Sequence, residues 1–162
     1  MKSVIKGMIV LICLTPLAVF GQGESKTMNL EKISDDLKFQ NGLQFVKLEK
    51  YNKAIEELNE YLEIHINGIH RHEAYKLLGR IYFKRFNYQM AIKIYRYLYE
   101  EFSTTEYGVE GYYLIGICYK KMGFDKNAIS AFREIISNHP ESNYSHRART
   151  QLDLLKLLNS HN

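Results

Sequence analysis

Apolar residues recur along this chain at helical spacing. Ala91, Tyr95, Leu98 and Phe102 fall at i, i+4, i+7 and i+11, a single stripe on a 3.6-residue period, and Ala128, Phe132 and Ile135 repeat it. The pattern predicts helices near 35–49, 52–65, 71–85, 88–101, 108–121, 125–137 and 142–158. Ser34 followed by Asp35 and Asp36 supplies a helix start, and Ser142 another, because their side-chain oxygens can accept from the free amides of a first turn. Residues 22–33 are polar and read as a flexible lead-in, and 159–162 as a short tail. The last helix carries Leu152, Leu154, Leu155, Leu157 and Leu158 with no helix after it, as expected of a cap over the open end of a stack. With only two Pro and ten Gly, the composition also suits long helices better than a turn-rich β fold.

Three stretches align without gaps at a pitch of 37 residues: Gly42 to Ala54, Gly79 to Ala91 and Gly116 to Ala128. In each, an aromatic (Phe45, Tyr82, Tyr119) follows the glycine by three and the alanine follows it by twelve. Four residues further comes a bulky side chain: Leu58, Tyr95 or Phe132. A registered repeat of this length means that one helical unit stacks on the next.

The pattern resembles the tetratricopeptide repeat, a helix–turn–helix unit. The resemblance implies an all-α, right-handed superhelix over residues 34–158, with units at about 35–70, 72–107 and 109–141 and a capping helix at 142–158. It also implies that the glycine of each first (A) helix lies where the second (B) helix crosses, with the alanine opposite, so that Gly79 faces Ala91. Pro140 stands at the family's helix-ending position. The first unit departs from the pattern, with Asn41 where Leu78 and Ile115 stand and Ile66-Asn67-Gly68 in place of the closing Pro; the third has Asp125 where Tyr51 and Tyr88 stand. The long pitch is similar to that of bacterial envelope members, the outer-membrane-assembly lipoproteins and Tol-associated periplasmic coordinators.

The N-terminus sets the compartment. Lys2 and Lys6 precede an apolar run over 8–20, followed by Gly21, Gln22 and Gly23, the layout of a secretory signal peptide at 1–21 cleaved near Gly21. The run is shorter than the roughly 20 apolar residues of a spanning helix and carries Pro16, so no transmembrane segment is expected after cleavage. Lipid attachment at Cys13 fits less well, because Ile12 stands where bacterial lipoproteins normally carry a small residue. The expected location is the periplasm of a Gram-negative bacterium, or outside the cell. Cys118 is then the one remaining thiol and reads as a small core residue.

The sequence argues against an enzyme. It has no Gly-x-Ser-x-Gly elbow and no phosphate-cradling glycine loop, and Glu56 and Glu57 belong to a charged helix face. His65, His70 and His72 cluster without a cysteine and read as surface histidines, so neither metal nor other cofactor is expected. The formal net charge of +4 is too low for a nucleic-acid partner. Charge is nonetheless uneven: from Arg71 to Arg96 seven basic residues face one acid, Glu73. Lys76, Arg80 and Lys84 share one face of the second unit's A helix.

In tetratricopeptide proteins the A helices line the concave groove. The resemblance therefore places Lys47, Lys76, Arg80, Phe83, Lys84, Tyr113 and Lys120 there, with Phe39 and Lys121. The expectation is a positive wall around an aromatic floor, taking a protein or extended peptide with acidic residues and an apolar anchor. The alternative is a peptidoglycan- or polysaccharide-associated module whose aromatics stack on sugar rings. The carboxylate clamp of chaperone-tail-binding relatives is absent, since its positions hold Phe39, Leu43, Leu77, Glu110 and Leu114.

Overall fold

The computed structural model describes residues 21–159, with side chains described for 29–158. The expected signal peptide, including Cys13, and the last three residues fall outside the described part. Within it run seven helices and no strand: α1 (Gly21–Lys47), α2 (Tyr51–Ile64), α3 (Arg71–Lys84), α4 (Tyr88–Glu101), α5 (Glu106–Lys121), α6 (Asp125–Asn138) and α7 (Asn143–Asn159).

Six of the seven lie within two residues of the positions the periodicity predicts. α1 does not. It starts at Gly21, so residues 22–33 are helical rather than a flexible lead-in. No Pro or Gly interrupts residues 24–41, and the helix runs straight through Ser34, Asp35 and Asp36 instead of starting there. The polar pattern that suggested a loop reflects lack of burial: Leu30, Ile33 and Leu37 stay exposed along this extension.

Each A–B turn closes the same way. The backbone amide of Lys50 donates to the carbonyl of Phe45, Asn87 to Tyr82 and Phe124 to Tyr119, each at 2.9 Å. This six-residue closure needs a left-handed residue just past the helix. That residue is Glu49 (φ 56°), Phe86 (φ 59°) or Gly123 (φ 75°), again 37 residues apart. Only the third unit uses glycine, the residue for which this backbone carries no steric cost. Asn87 and Thr105 cap α4 and α5 by accepting from the amides of Met90 and Gly108.

The repeat glycines do their work at the A–B crossings. A Cβ on Gly79 would lie 2.6 Å from Cζ of Tyr95, one on Gly116 2.6 Å from Cε1 of Phe132, and one on Gly42 2.7 Å from Cδ2 of Leu58. The nearest neighbour of each glycine is thus the bulky residue of the B helix, four positions past the alanine. The reason is directional: long helical side chains lean back toward the helix N-terminus, so the ring of Tyr95 covers the level of Ala91. Ala54, Ala91 and Ala128 are completely buried beneath these side chains.

Successive helices pack in sequence, from α1 against α2 to α6 against α7. A helices also touch one another (α1 with α3, α3 with α5, α5 with α7), whereas no contact between successive B helices occurs among the described residues. The layer whose members touch is the inner one, so A helices form the concave wall. Cys118 is fully buried, and burial pushes its thiol up to about 12. The thiolate is the reactive form. The expected result is that iodoacetamide at neutral pH leaves the native protein unmodified and alkylates Cys118 fully in denaturant; fast native alkylation would contradict this packing.

Candidate partner groove

Residues on the concave face recur by register, because each unit repeats the last after 37 positions. The last turn of each A helix presents a lysine (Lys47, Lys84, Lys121), and all three are exposed. The corresponding positions nearer the N-terminal side hold Asp36, inside the long α1, and Glu73 and Glu110, near the starts of α3 and α5. In α3 and α5 acids at the start and bases at the end agree with the helix dipole. The groove therefore carries an acidic row and a basic row, not a uniformly positive wall.

Individual positions sharpen this. Lys76 is half-buried and its Nζ lies 3.1 Å from Glu110, so its charge is compensated across α3 and α5. Lys120 donates to Oε1 of Gln151 on α7 at 2.9 Å. Lys84 reaches back to the first unit, donating to the Tyr51 hydroxyl at 3.2 Å with Glu49 at 3.9 Å, and stays largely in solvent. Arg80 is exposed, and no hydrogen bond or ion pair engages it among the described residues. Lys47 and Lys121 are likewise exposed and unengaged among the described residues. Phe83 is half-buried, edge-on to Tyr88 at 5.2 Å.

The aromatic floor is closed. Tyr113 is only 5% exposed, packed between Phe132 and Tyr144, and the guanidinium of Arg147 covers its face at 4.9 Å. Phe39 is buried against Tyr61 and stacked on His70, a core residue rather than groove lining. Burial, with Glu110 beside it, pushes the Tyr144 hydroxyl up to about 12. Sequence reasoning missed Glu110 and Arg147 as groove residues. Their signal was present in the 37-residue register, where Arg147 follows Asp36, Glu73 and Glu110.

The histidines are not surface residues. His70 stacks on Phe39 at 4.4 Å, His65 on Tyr61 at 5.2 Å and His72 on Tyr107 at 3.8 Å. His72 lies in the first turn of α3 and meets Tyr107 of α5, whereas His65 and His70 flank the α2–α3 turn, which packs on α1. There Asp35, 5% exposed, accepts from the Tyr61 hydroxyl at 2.6 Å and from the amide of Ile69 at 3.1 Å. Oxygens of Asp35 and Asp36 and a ring nitrogen of His70 converge within 4.8 Å. These donors are already engaged, with Nε2 of His70 2.7 Å from Asp36, and their arrangement serves the turn. Below it, Arg71 binds the carbonyls of Leu62 and His65 and pairs with Glu101 of α4. The hydrogen bond from Arg71, aided by one from Tyr75, holds the Glu101 carboxyl below its ordinary range.

Stacked helical hairpins with glycine-seated crossings and an inner wall of A helices define a tetratricopeptide-type repeat protein. The profile of the outer membrane lipoprotein family YfiO matches residues 32–160, and the chain belongs to that family. Among solved structures, it is similar to the Arabidopsis OM64 TPR domain, at 15% identity and a TM-score of 0.57, over 76% of this chain and 97% of that one. At that identity the likeness concerns the fold. A comparison with curated proteins returns no match.

Proposed function

We propose that this protein is an exported, non-catalytic scaffold of the bacterial envelope that holds an extended acidic segment of a partner protein along its concave face. Membership of the outer membrane lipoprotein family supports the envelope location. The basic start, short apolar run and small exit residues support cleavage near Gly21. A repeat stack offers a long inner surface suited to protein segments.

The observation that carries the reading is the free charge on that surface: Arg80 between the exposed lysines of the A-helix ends. With Lys76 and Lys120 engaged by Glu110 and Gln151, the contact is assigned to Arg80, Lys84, Lys47 and Lys121, and half-buried Phe83 offers an edge for an apolar anchor. The closed face of Tyr113 removes the aromatic platform that sugar stacking would use.

Fluorescence anisotropy with Asp/Glu-rich peptides carrying one Leu or Phe tests this. The double variant Arg80→Glu, Lys84→Glu is expected to weaken binding at least tenfold at low salt, with a melting temperature close to the parent's, as is usual for exposed positions. Arg96→Glu, on α4 and outside the groove, is expected to leave affinity unchanged. Binding should fade as the Debye length falls from about 10 Å at 0.1 M salt to about 3 Å at 1 M. Salt-independent binding that ignores the double reversal would remove this groove from consideration.

A further inference from the structure

The A–B turns form an edge of their own. Because the three A helices run in the same direction, the turns after α1, α3 and α5 lie along one side of the stack. Each projects an apolar side chain into solvent: Leu48 at 52% exposure, Phe86 at 78% and Phe124 at 51%. Each is also basic. Residues 47–53, 84–87 and 120–126 each carry a net charge of +2. On the opposite edge Glu100, Glu101 and Glu106 surround the α4–α5 turn and Glu141 precedes α7, whereas residues 65–70 of the α2–α3 turn carry no acid and Arg71 pairs with Glu101.

Phe86 is the informative member. It is a bulky residue at φ 59°, where the third unit places Gly123, and its ring lies edge-on to Tyr88 at 6.3 Å. A left-handed backbone costs a non-glycine residue on the order of 1 kcal/mol. That backbone serves the turn closure, as it does at Glu49 and Gly123. The choice of a bulky apolar side chain there is not needed for the closure, and at 78% exposure the ring gains little burial within the fold.

We propose that this edge docks on an anionic lipid surface, with Phe86 and Phe124 entering the interface and Lys50, Arg85 and Lys126 at headgroup level. Charge complementarity selects an anionic surface, since all three turns are positive. The tips are single apolar side chains set among basic ones and standing out of the edge, an arrangement that a fluid headgroup layer accepts without a matching socket. The edge shares Lys47, Lys84, Lys120 and Lys121 with the ends of the groove-lining A helices, while Phe86, Phe124, Lys50, Arg85 and Lys126 lie outside the groove, so the variants that test it leave the groove residues in place.

Flotation of the purified protein with vesicles tests it. Binding is expected to phosphatidylcholine vesicles containing phosphatidylglycerol, not to phosphatidylcholine alone, and to disappear at 1 M salt. Phe86→Gly is expected to weaken partitioning roughly tenfold, the effect of one aromatic side chain withdrawn from an apolar layer, while raising the melting temperature. Arg85→Glu combined with Lys126→Glu should weaken it by roughly fivefold per reversed charge or more. Arg133→Glu on α6 should change nothing. Absence of binding to the anionic vesicles, or binding indifferent to Phe86→Gly, would overturn the proposal. Displacement by soluble polyglutamate, with Phe86→Gly retaining full affinity for it, would also overturn it and make the edge an acidic-peptide site.

Discussion

Replacing Gly108 by alanine is expected to destabilise the protein by about 3 kcal/mol, near the upper end of what overpacking costs. Gly108 lies in the first turn of α5, pressed on the end of α4. A Cβ there would come within 2.5 Å of the carbonyl carbon of Phe102, closer still to its oxygen, and 2.9 Å from the amide nitrogen of Ser103. These are backbone atoms of the turn and cannot swing aside. The opposing effect is alanine's intrinsic helical preference over glycine, about 1 kcal/mol, and the clash outweighs it. Gly79→Ala meets the Tyr95 ring instead, 1% exposed and without room to rotate away, and should cost about 2 kcal/mol. Denaturant titration of the two variants beside the parent is the measurement. If Gly108→Ala were neutral or stabilising, the close approach of α5 to the α4–α5 turn would be wrong.

Asp35→Ala is expected to cost about 3 kcal/mol, because hydrogen bonds to a charged acceptor contribute roughly 1.5–3 kcal/mol each and the donors are left without it. The Tyr61 hydroxyl donates to Asp35 and accepts from the amide of His70 at 3.0 Å, so one carboxylate and one phenol join α1, α2 and the α2–α3 turn. Tyr61→Phe should cost about half as much, and the double variant less than the sum of the singles, since both remove the same bond. The loss should be local. In a repeat stack each unit contacts only its neighbours, so amide exchange should accelerate in α1, α2 and the α2–α3 turn while α5–α7 keep their protection. Uniform acceleration along the chain, or strictly additive variants, would refute this account of the first unit.

Both predictions rest on residues whose role was only partly visible beforehand. Gly79 and Gly116 announced a close crossing through their register, but that Tyr95 and Phe132 come nearest to them did not show. Periodicity locates a residue around the helix axis, whereas the lean of a long side chain along the axis appears only once two helices are packed. Asp35 read as the start of a helix, which is the common use of an acid beside Ser34. Its actual role depends on Tyr61 and Ile69, 26 and 34 residues away, a contact that local patterning does not encode. The three histidines were misread for the same reason: their charge class suggests solvent, while His65 and His70 stack on rings beside the α2–α3 turn and His72 stacks on Tyr107 of α5.

The groove divides along similar lines. Its location on the A helices follows from the repeat, and the exposure of Lys47, Arg80 and Lys84 agrees with that. The neutralisation of Lys76 by Glu110 and the covering of Tyr113 by Arg147 do not follow, because each joins side chains from different units.

What the sequence determined by itself is the number, order and period of the helices of the repeat. Those features depend on interactions within a turn or between adjacent helices, and a 37-residue repeat states them three times. What the tertiary structure decided is the extent of α1, the pairing at each crossing, and which charges remain free. It also brought the three basic A–B turns to one edge. These depend on side-chain direction and on contacts between distant units, where a local pattern carries no information until the stack brings them together.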